Sequence, residues 1–226
     1  MPTIRMVSFR SGDENLEAYL AQPEGEGPLP GVVIIHEAFG LNDNIKSIAN
    51  RFAGEGYVAL AVDLFAGRNR AVCMARFMGG MMLKPLDHGS IRDLKIALSV
   101  LAEHPGVDGA RLGAIGFCMG GGFAIAWACT DERLRVVAPF YGMNPRPLDV
   151  VSRACPVVDS YPEKDFTARA GRKLEATLER HSIPHDIKVY PGVRHSFFND
   201  ESRNYDPVAS EDSWRRTLAF FKEHIG

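Results

Sequence analysis

Along most of this chain, unbroken apolar runs alternate with amphipathic stretches. Residues 31–35 (Gly-Val-Val-Ile-Ile) and 57–62 contain no charged position. Runs of this kind, rich in β-branched residues, read as strands buried on both faces. Between them Ile45, Ile48, Ala49 and Phe52 recur at helical spacing, and Gly54 and Gly56 close that helix. Near the start, residues 5–9 and 17–22 predict two shorter, partly polar strands joined by a turn at Ser11-Gly12-Asp13-Glu14, as at an antiparallel sheet edge. Further strands are predicted at 111–115, 134–141, 157–159 and 186–190, and helices at 167–181 and 211–224. Another helix is predicted from Ser90, read as an N-cap with Asp93 three residues on, its buried face being Ile91, Leu94, Leu98 and Leu101. Residues 63–88 are rich in Met, Gly and Arg and predict an irregular segment, either a lid or a loop with short helical pieces. Strands alternating with helices predict an α/β fold, with a mostly parallel central sheet covered on both faces. No repeat or linker interrupts the pattern, so residues 1–226 are expected to form one domain.

Composition narrows the partners. The chain has 226 residues and a formal charge of −2, which favours neither a polyanion nor an acidic membrane surface. It carries no run of basic residues interleaved with aromatics, which argues against nucleic acid. No stretch approaches the roughly 20 apolar residues of a membrane span, and the first residues lack the apolar core of a signal peptide. The four cysteines are scattered without a C-x-x-C pair. That pattern fits a reduced, cytoplasmic protein, with Cys73, Cys129 and Cys155 as small buried hydrophobes. The expected oligomeric state is a monomer or weak dimer.

The chemistry concentrates where predicted strands end. Gly116-Phe117-Cys118-Met119-Gly120 lies between an apolar strand and an apolar helix. This is the strand, tight turn, helix context of a G-x-S-x-G nucleophile elbow, with cysteine at its centre. A turn sharp enough to expose Cys118 crowds positions two residues to either side, so Gly116 and Gly120 suit it. It also sets the sulfur at a helix N-terminus, which favours a thiolate. Past the later strands come Asp159, Asp165 and His195. The order nucleophile, acid, histidine is that of the α/β-hydrolases. A thiol near its ordinary pKa is only a few per cent ionised at neutral pH. An imidazole (His195) is needed to take its proton and later activate water, and a carboxylate to fix the ring. Asp165 is the first choice for that acid and Asp159 its rival. The backbone N–H groups of Met119 and Ala38 are the expected oxyanion donors.

With these pieces the chain resembles the dienelactone hydrolase family (carboxymethylenebutenolidases) of the α/β-hydrolase fold. The matching stretches are His36-Glu37-Ala38-Phe39-Gly40, Gly56-Tyr57-Val58-Ala59 leading to Asp63-Leu64-Phe65, the elbow extended to Gly121, Asp165, and residues 192–197. The resemblance implies attack on an enol-lactone carbonyl, an acyl-cysteine intermediate, a small-molecule lactone or ester as partner, a place in aromatic catabolism, and no metal or organic cofactor. It also implies that Glu37 contacts the resting thiol and keeps it protonated until substrate displaces the carboxylate. Family members acting on dienelactone hold its carboxylate with arginines, one of them four residues after the histidine. Here that position is Asn199, and Pro162 stands where the acid motif commonly has Gly. Asn199, Arg68, Arg70, Arg76 and Arg194 are therefore the candidates for substrate binding.

Several features have plainer readings. His36 at a strand end reads as structural. His181 and His185 are four apart, but Pro184 interrupts the helix that would align them as metal ligands. Met78, Met81 and Met82 either line a pocket or fill core gaps. For function, the alternatives to a dienelactone-type lactonase are an esterase or thioesterase for small neutral esters, and a non-catalytic binding module.

Overall fold

In the computed structural model, residues 2–25 and 27–226 are described. Eight strands form one sheet in the order β1-β2-β4-β3-β5-β6-β7-β8. They are β1 (Thr3–Ser11), β2 (Glu14–Gln22), β3 (Leu29–Ile35), β4 (Val58–Asp63), β5 (Val107–Phe117), β6 (Leu134–Phe140), β7 (Val157–Lys164) and β8 (His185–Arg194). The hairpin β1–β2 pairs antiparallel and joins β4 antiparallel; every pairing from β4 through β8 is parallel. The fold is thus α/β, and its parallel strands all bring their C-terminal ends to one rim, where open sheets of this class place their sites.

The helices are α1 (Asp43–Gly54), α2 (Arg70–Leu83), α3 (Gly89–Ala102), α4 (Met119–Ala128), α5 (Ala168–Arg180) and α6 (Pro207–Ile225), with a 3-10 turn at Leu148–Arg153. Successive strand residues face opposite sides, and β3 displays this directly. Val33 and Ile35 join one apolar layer with α2, α3, α4 and α5, while Val32 and Ile34 join the other with α1 and α6. The central helix α4 has all ten residues buried, as its uniformly apolar composition requires.

Three local readings need correction. Residues 63–88 are not irregular throughout, because α2 occupies Arg70–Leu83. Asn69 caps it, accepting from the N–H groups of Ala71 and Val72. Only Cys73 and Phe77 on α2 are buried, so the amphipathic signal is thin, and Gly79 and Gly80 weaken it further. Gly80 is needed there because its missing side chain makes room for His88. The cap of α3 is His88 rather than Ser90, without a side-chain bond, and Asp93 instead accepts from Ser11 Oγ at 2.5 Å. α6 begins at Pro207, ahead of Glu211, with the Asp206 side chain accepting from Ala209 N–H. Proline just after an N-cap aspartate is the start signal that the reading passed over.

Candidate active site

The elbow is built by close backbone packing. Cys118 separates β5 from α4 at φ 55° and ψ −113°, a strained conformation for a side chain with a Cβ. Its N–H donates to the Phe140 carbonyl on the neighbouring strand (3.0 Å), and its carbonyl accepts from Gly122 N–H (3.2 Å). A Cβ on Gly116 would lie 2.1 Å from the Gly120 carbonyl oxygen, and one on Gly120 would lie 2.6 Å from the carbonyl oxygens of both Ile35 and His36. The crowding expected on both sides of Cys118 is present. Met119 N–H opens α4, where the first donors have no intrahelical acceptor. Ala38 follows β3, and its N–H donates to no other group among the described residues.

His195 follows the end of β8, and Asp165 follows the end of β7. The ring's Nδ1 lies 2.5 Å from Asp165 Oδ2, and Thr167 Oγ1 donates to that same oxygen at 2.6 Å. The carboxylate is almost fully covered. Burial opposes charge on His195. The hydrogen bond and charge of Cys118, followed by those of Asp165, outweigh it and raise the imidazole to about 9. Phe166, largely exposed, stacks on the ring with centroids 6.0 Å apart, and Tyr141 meets it edge-on at 5.0 Å. Cys118, His195 and Asp165, distant in sequence, therefore come together at one rim of the sheet. Asp159 does not join them. β7 continues to Lys164, which leaves Asp159 mid-strand and fully buried, its Oδ1 accepting from Ser160 N–H. Burial pushes its carboxyl well above the usual range.

Glu37 is also buried, and its carboxylate is fully engaged. Oε1 accepts from Tyr141 Oη (3.1 Å) and Ser196 Oγ (2.9 Å), and Oε2 accepts from Asn199 Nδ2 (2.8 Å). These three donors are the groups that fix the carboxylate, whose contact with the resting thiol was the expectation from the resemblance. The adjacent His36 is structural: its Nδ1 pairs with the Glu37 carbonyl at 2.5 Å, and its Nε2 accepts from Leu64 N–H at 3.0 Å. Burial lowers its pKa and keeps the ring neutral. Tyr141 and Ser196 were not singled out from the sequence, although Ser196 lies in the matching stretch 192–197; both sit at positive φ beyond strand ends.

A model of the dienelactone hydrolase family matches residues 16–225. The chain belongs to the dienelactone hydrolase family. The "Putative carboxymethylenebutenolidase" of Saccharolobus solfataricus is 32% identical, the match covering 96% of this chain and 97% of the relative. A "Probable 2-oxo-3-(5-oxofuran-2-ylidene)propanoate lactonase" of Bradyrhizobium is 29% identical over 97% of this chain and 94% of its own length. Among solved structures, a dienelactone hydrolase-like promiscuous phosphotriesterase from metagenomic libraries superposes with a TM-score of 0.88 at 27% identity, covering 100% of this chain and 99% of that one. The fold is the α/β-hydrolase fold, and the protein is an enzyme, a carboxylic ester hydrolase of the dienelactone hydrolase type.

The substrate end is set by groups around the histidine. A cleft of about 640 Å³ opens beside His195, lined among others by Phe39, Arg70, Ser196, Asn199 and Arg203. Asn199 borders it, but both ends of its amide serve the protein, Nδ2 donating to Glu37 and Oδ1 accepting from Glu201 N–H. Arg70 sits above the Phe65 ring at 5.6 Å. Arg203, which the sequence reading did not single out, also faces the cleft. Arg76 lines a separate, smaller cavity between α2 and α3. Arg194 is exposed and does not line the cleft. Arg68 is tied to Glu14 and to the carbonyls of Leu64 and Phe65. Met78 and Met82 are exposed on α2, while Met81 packs against the core beside Gly122. His181 pairs with Asp149, and His185 with the Ile183 carbonyl. Among the described residues no helix is long and apolar enough to cross a membrane.

Proposed function

We propose that this enzyme opens an acid-bearing lactone or small ester through an acyl-cysteine intermediate. His195 takes the Cys118 proton as the sulfur attacks the acyl carbon, and the carbonyl oxygen collects the developing charge against the N–H groups of Met119 and Ala38. Losing one such donor costs roughly 2.7–4 kcal/mol of transition-state stabilisation in other enzymes. The C–O bond breaks, and the departing enolate or alkoxide takes its proton from the His195 imidazolium. His195 then draws a proton from water, whose oxygen attacks the acyl-cysteine. The C–S bond breaks, the sulfur takes the proton back from His195, and the acid product leaves. Asp165 holds the ring's tautomer and stabilises its charged form. The reading requires no metal or organic cofactor.

The observation that carries this reading is the Asp165–His195 pair at the sheet rim where Cys118 stands at the N-terminus of α4. An acid-bearing substrate is favoured because Arg70 and Arg203 both line the cleft beside His195, whereas Asn199 is engaged with Glu37. The Bradyrhizobium relative is named for a substrate of that kind, a lactone carrying a propanoate. The test is turnover of a panel of acidic lactones and neutral esters by wild type and Cys118→Ala, with intact-mass analysis of trapped enzyme. The expected result is an acyl adduct on Cys118, loss of turnover in a folded Cys118→Ala, and preference for the anionic members. Wild-type turnover by Cys118→Ala refutes the nucleophile, and preference for neutral esters refutes the substrate class.

A further inference from the structure

Between α2 and α3 lies a cavity of about 140 Å³ that shares no lining residue with the cleft beside His195. Its charged lining is mainly cationic: Arg68, Arg76 and Arg92 stand against one carboxylate, Asp93. Arg68 is committed to Glu14 and to backbone carbonyls, and Arg92 makes one long contact with Asp87 at 3.4 Å. Arg76 has no acidic partner among the described residues. Asp93 opposes an anion only weakly, because it accepts from Ser11 Oγ at 2.5 Å and burial pushes its pKa up.

The start of α3 opens on the same space. No side chain caps this helix, and the N–H groups of Gly89 and Ser90, which both line the cavity, donate to no group among the described residues. Free N–H groups at a helix N-terminus, with the dipole behind them, attract oxyanions. His88 points to a ligand independently of the helix. Its side chain is only 7% exposed and borders the cavity, yet its buried Nε2 has no hydrogen-bond partner. A buried ring nitrogen is costly to leave unpaired. Burial, with Arg92 adding to it, lowers the ring to about 4, so it is neutral and carries one N–H that can donate. Arginine forks beside unpaired N–H groups are the donor set that suits a phosphate. The volume is well below the roughly 300–1,000 Å³ of pockets for drug-sized ligands, which leaves room for a group of phosphate size. Such an anion would also tie down α2, whose own buried residues are only Cys73 and Phe77.

We propose that the cavity between α2 and α3 is a binding site for a phosphate-type oxyanion, held by Arg76, Arg92, the His88 ring and the N–H groups of Gly89 and Ser90. The anion bridges the two helices outside the catalytic cleft, and the site does not depend on which residue is the nucleophile.

The experiment is calorimetric titration of the full-length enzyme with orthophosphate and, separately, with glycerol 3-phosphate, at neutral pH and constant ionic strength. Saturable binding at one site is expected. Arg76→Ala and Arg92→Ala change exposed side chains and leave the core intact. Each should weaken binding at least about tenfold, the worth of one charge-assisted hydrogen bond. Arg203→Ala, in the catalytic cleft, should leave the affinity unchanged. NMR titration of the histidine rings supplies a second readout, with the His88 signals assigned by their loss in His88→Phe. Phosphate should move the His88 midpoint upward from about 4, because a neighbouring anion favours the charged ring, and sodium chloride at equal ionic strength should not. Tighter binding of orthophosphate identifies the free ion as the ligand, and tighter binding of glycerol 3-phosphate identifies a phosphomonoester; either supports the site. Three results each overturn the proposal: no saturable binding of either compound, binding that is lost in Arg203→Ala but kept in Arg76→Ala and Arg92→Ala, or a His88 midpoint that phosphate leaves unmoved.

Discussion

Gly116→Ala tests the elbow most directly, because the obstruction is backbone alone. The added methyl would stand 2.1 Å from the Gly120 carbonyl oxygen, 2.5 Å from its carbon and 3.0 Å from Gly121 N. Ordinary contact needs at least 3.4 Å, so the first turn of α4 would have to retreat by more than an ångström. It has nowhere to go, because Gly120 already lies against the carbonyls of Ile35 and His36, and Gly121 against that of Phe140. Overpacking of this kind costs about 1–3 kcal/mol, and at roughly 2–4 °C per kcal/mol for a chain of this size Tm should fall by several degrees. Activity should fall further. Cys118 and the Met119 N–H both ride on that turn, and a displacement near 1 Å costs on the order of a hundredfold in rate. Gly122→Ala is the milder comparison, since its methyl meets the flexible terminal carbon of Met81 at 2.9 Å and the Met143 carbonyl oxygen at 3.3 Å, a few tenths of an ångström from ordinary contact. It should cost clearly less stability than Gly116→Ala and retain most of the activity. Tm by thermal unfolding and kcat/KM on an active ester measure both. Wild-type Tm and rate in Gly116→Ala, or equal damage in the two variants, would refute the wedge argument.

Three further outcomes are expected. Asp165→Asn should keep the fold but lower kcat by up to about 10⁴-fold, the scale seen when the acid of a related triad is neutralised; an unchanged kcat would return the acid's role to another group. Arg203→Ala and Arg70→Ala should raise KM for acid-bearing substrates and leave neutral esters little affected, measured as a ratio of kcat/KM values; equal effects on both classes would remove these arginines from recognition. The fold should also lose stability in mild acid. Burial depresses both His36 and His88, and for His88, where nearby Arg92 adds to the effect, the value is about 4. The unfolded chain therefore binds protons that the native state refuses, so stability falls as pH drops from about 6.5 towards 4, by at most about 1.4 kcal/mol per pH unit for each ring. Denaturant unfolding across that range should show a flatter slope in His88→Phe. His195 works in the opposite sense: its raised pKa contributes stability that is complete below about 6.5 and lost as pH climbs through about 9.

Local pattern was enough for the sheet and for the candidate groups at its rim. The runs at 31–35 and 57–62 could only be buried strands, and they lie in β3 and β4. The Gly-x-Cys-x-Gly turn required two glycines by sterics, which the backbone distances bear out. α2 escaped because its buried face is two residues, Cys73 and Phe77, too few to leave a periodic trace. Asp159 and Asp165 were hard to separate by sequence, because the length of β7 decides which one clears the strand end, and Pro162 obscured that length.

What the chain itself determined is the set of candidate reactive side chains and the order in which they meet one rim of a parallel sheet, since hydrophobic periodicity and turn sterics are local. What only the tertiary structure decided is the charge environment of that rim. The donors to Glu37 come from residues 141, 196 and 199, more than a hundred positions away in the chain. Arg203 and Arg70 share a cleft while Arg76 lies in a different cavity. Hydrogen bonds and electrostatic attraction act through space over a few ångströms, so partners brought together by folding leave no spacing in the sequence to reveal them.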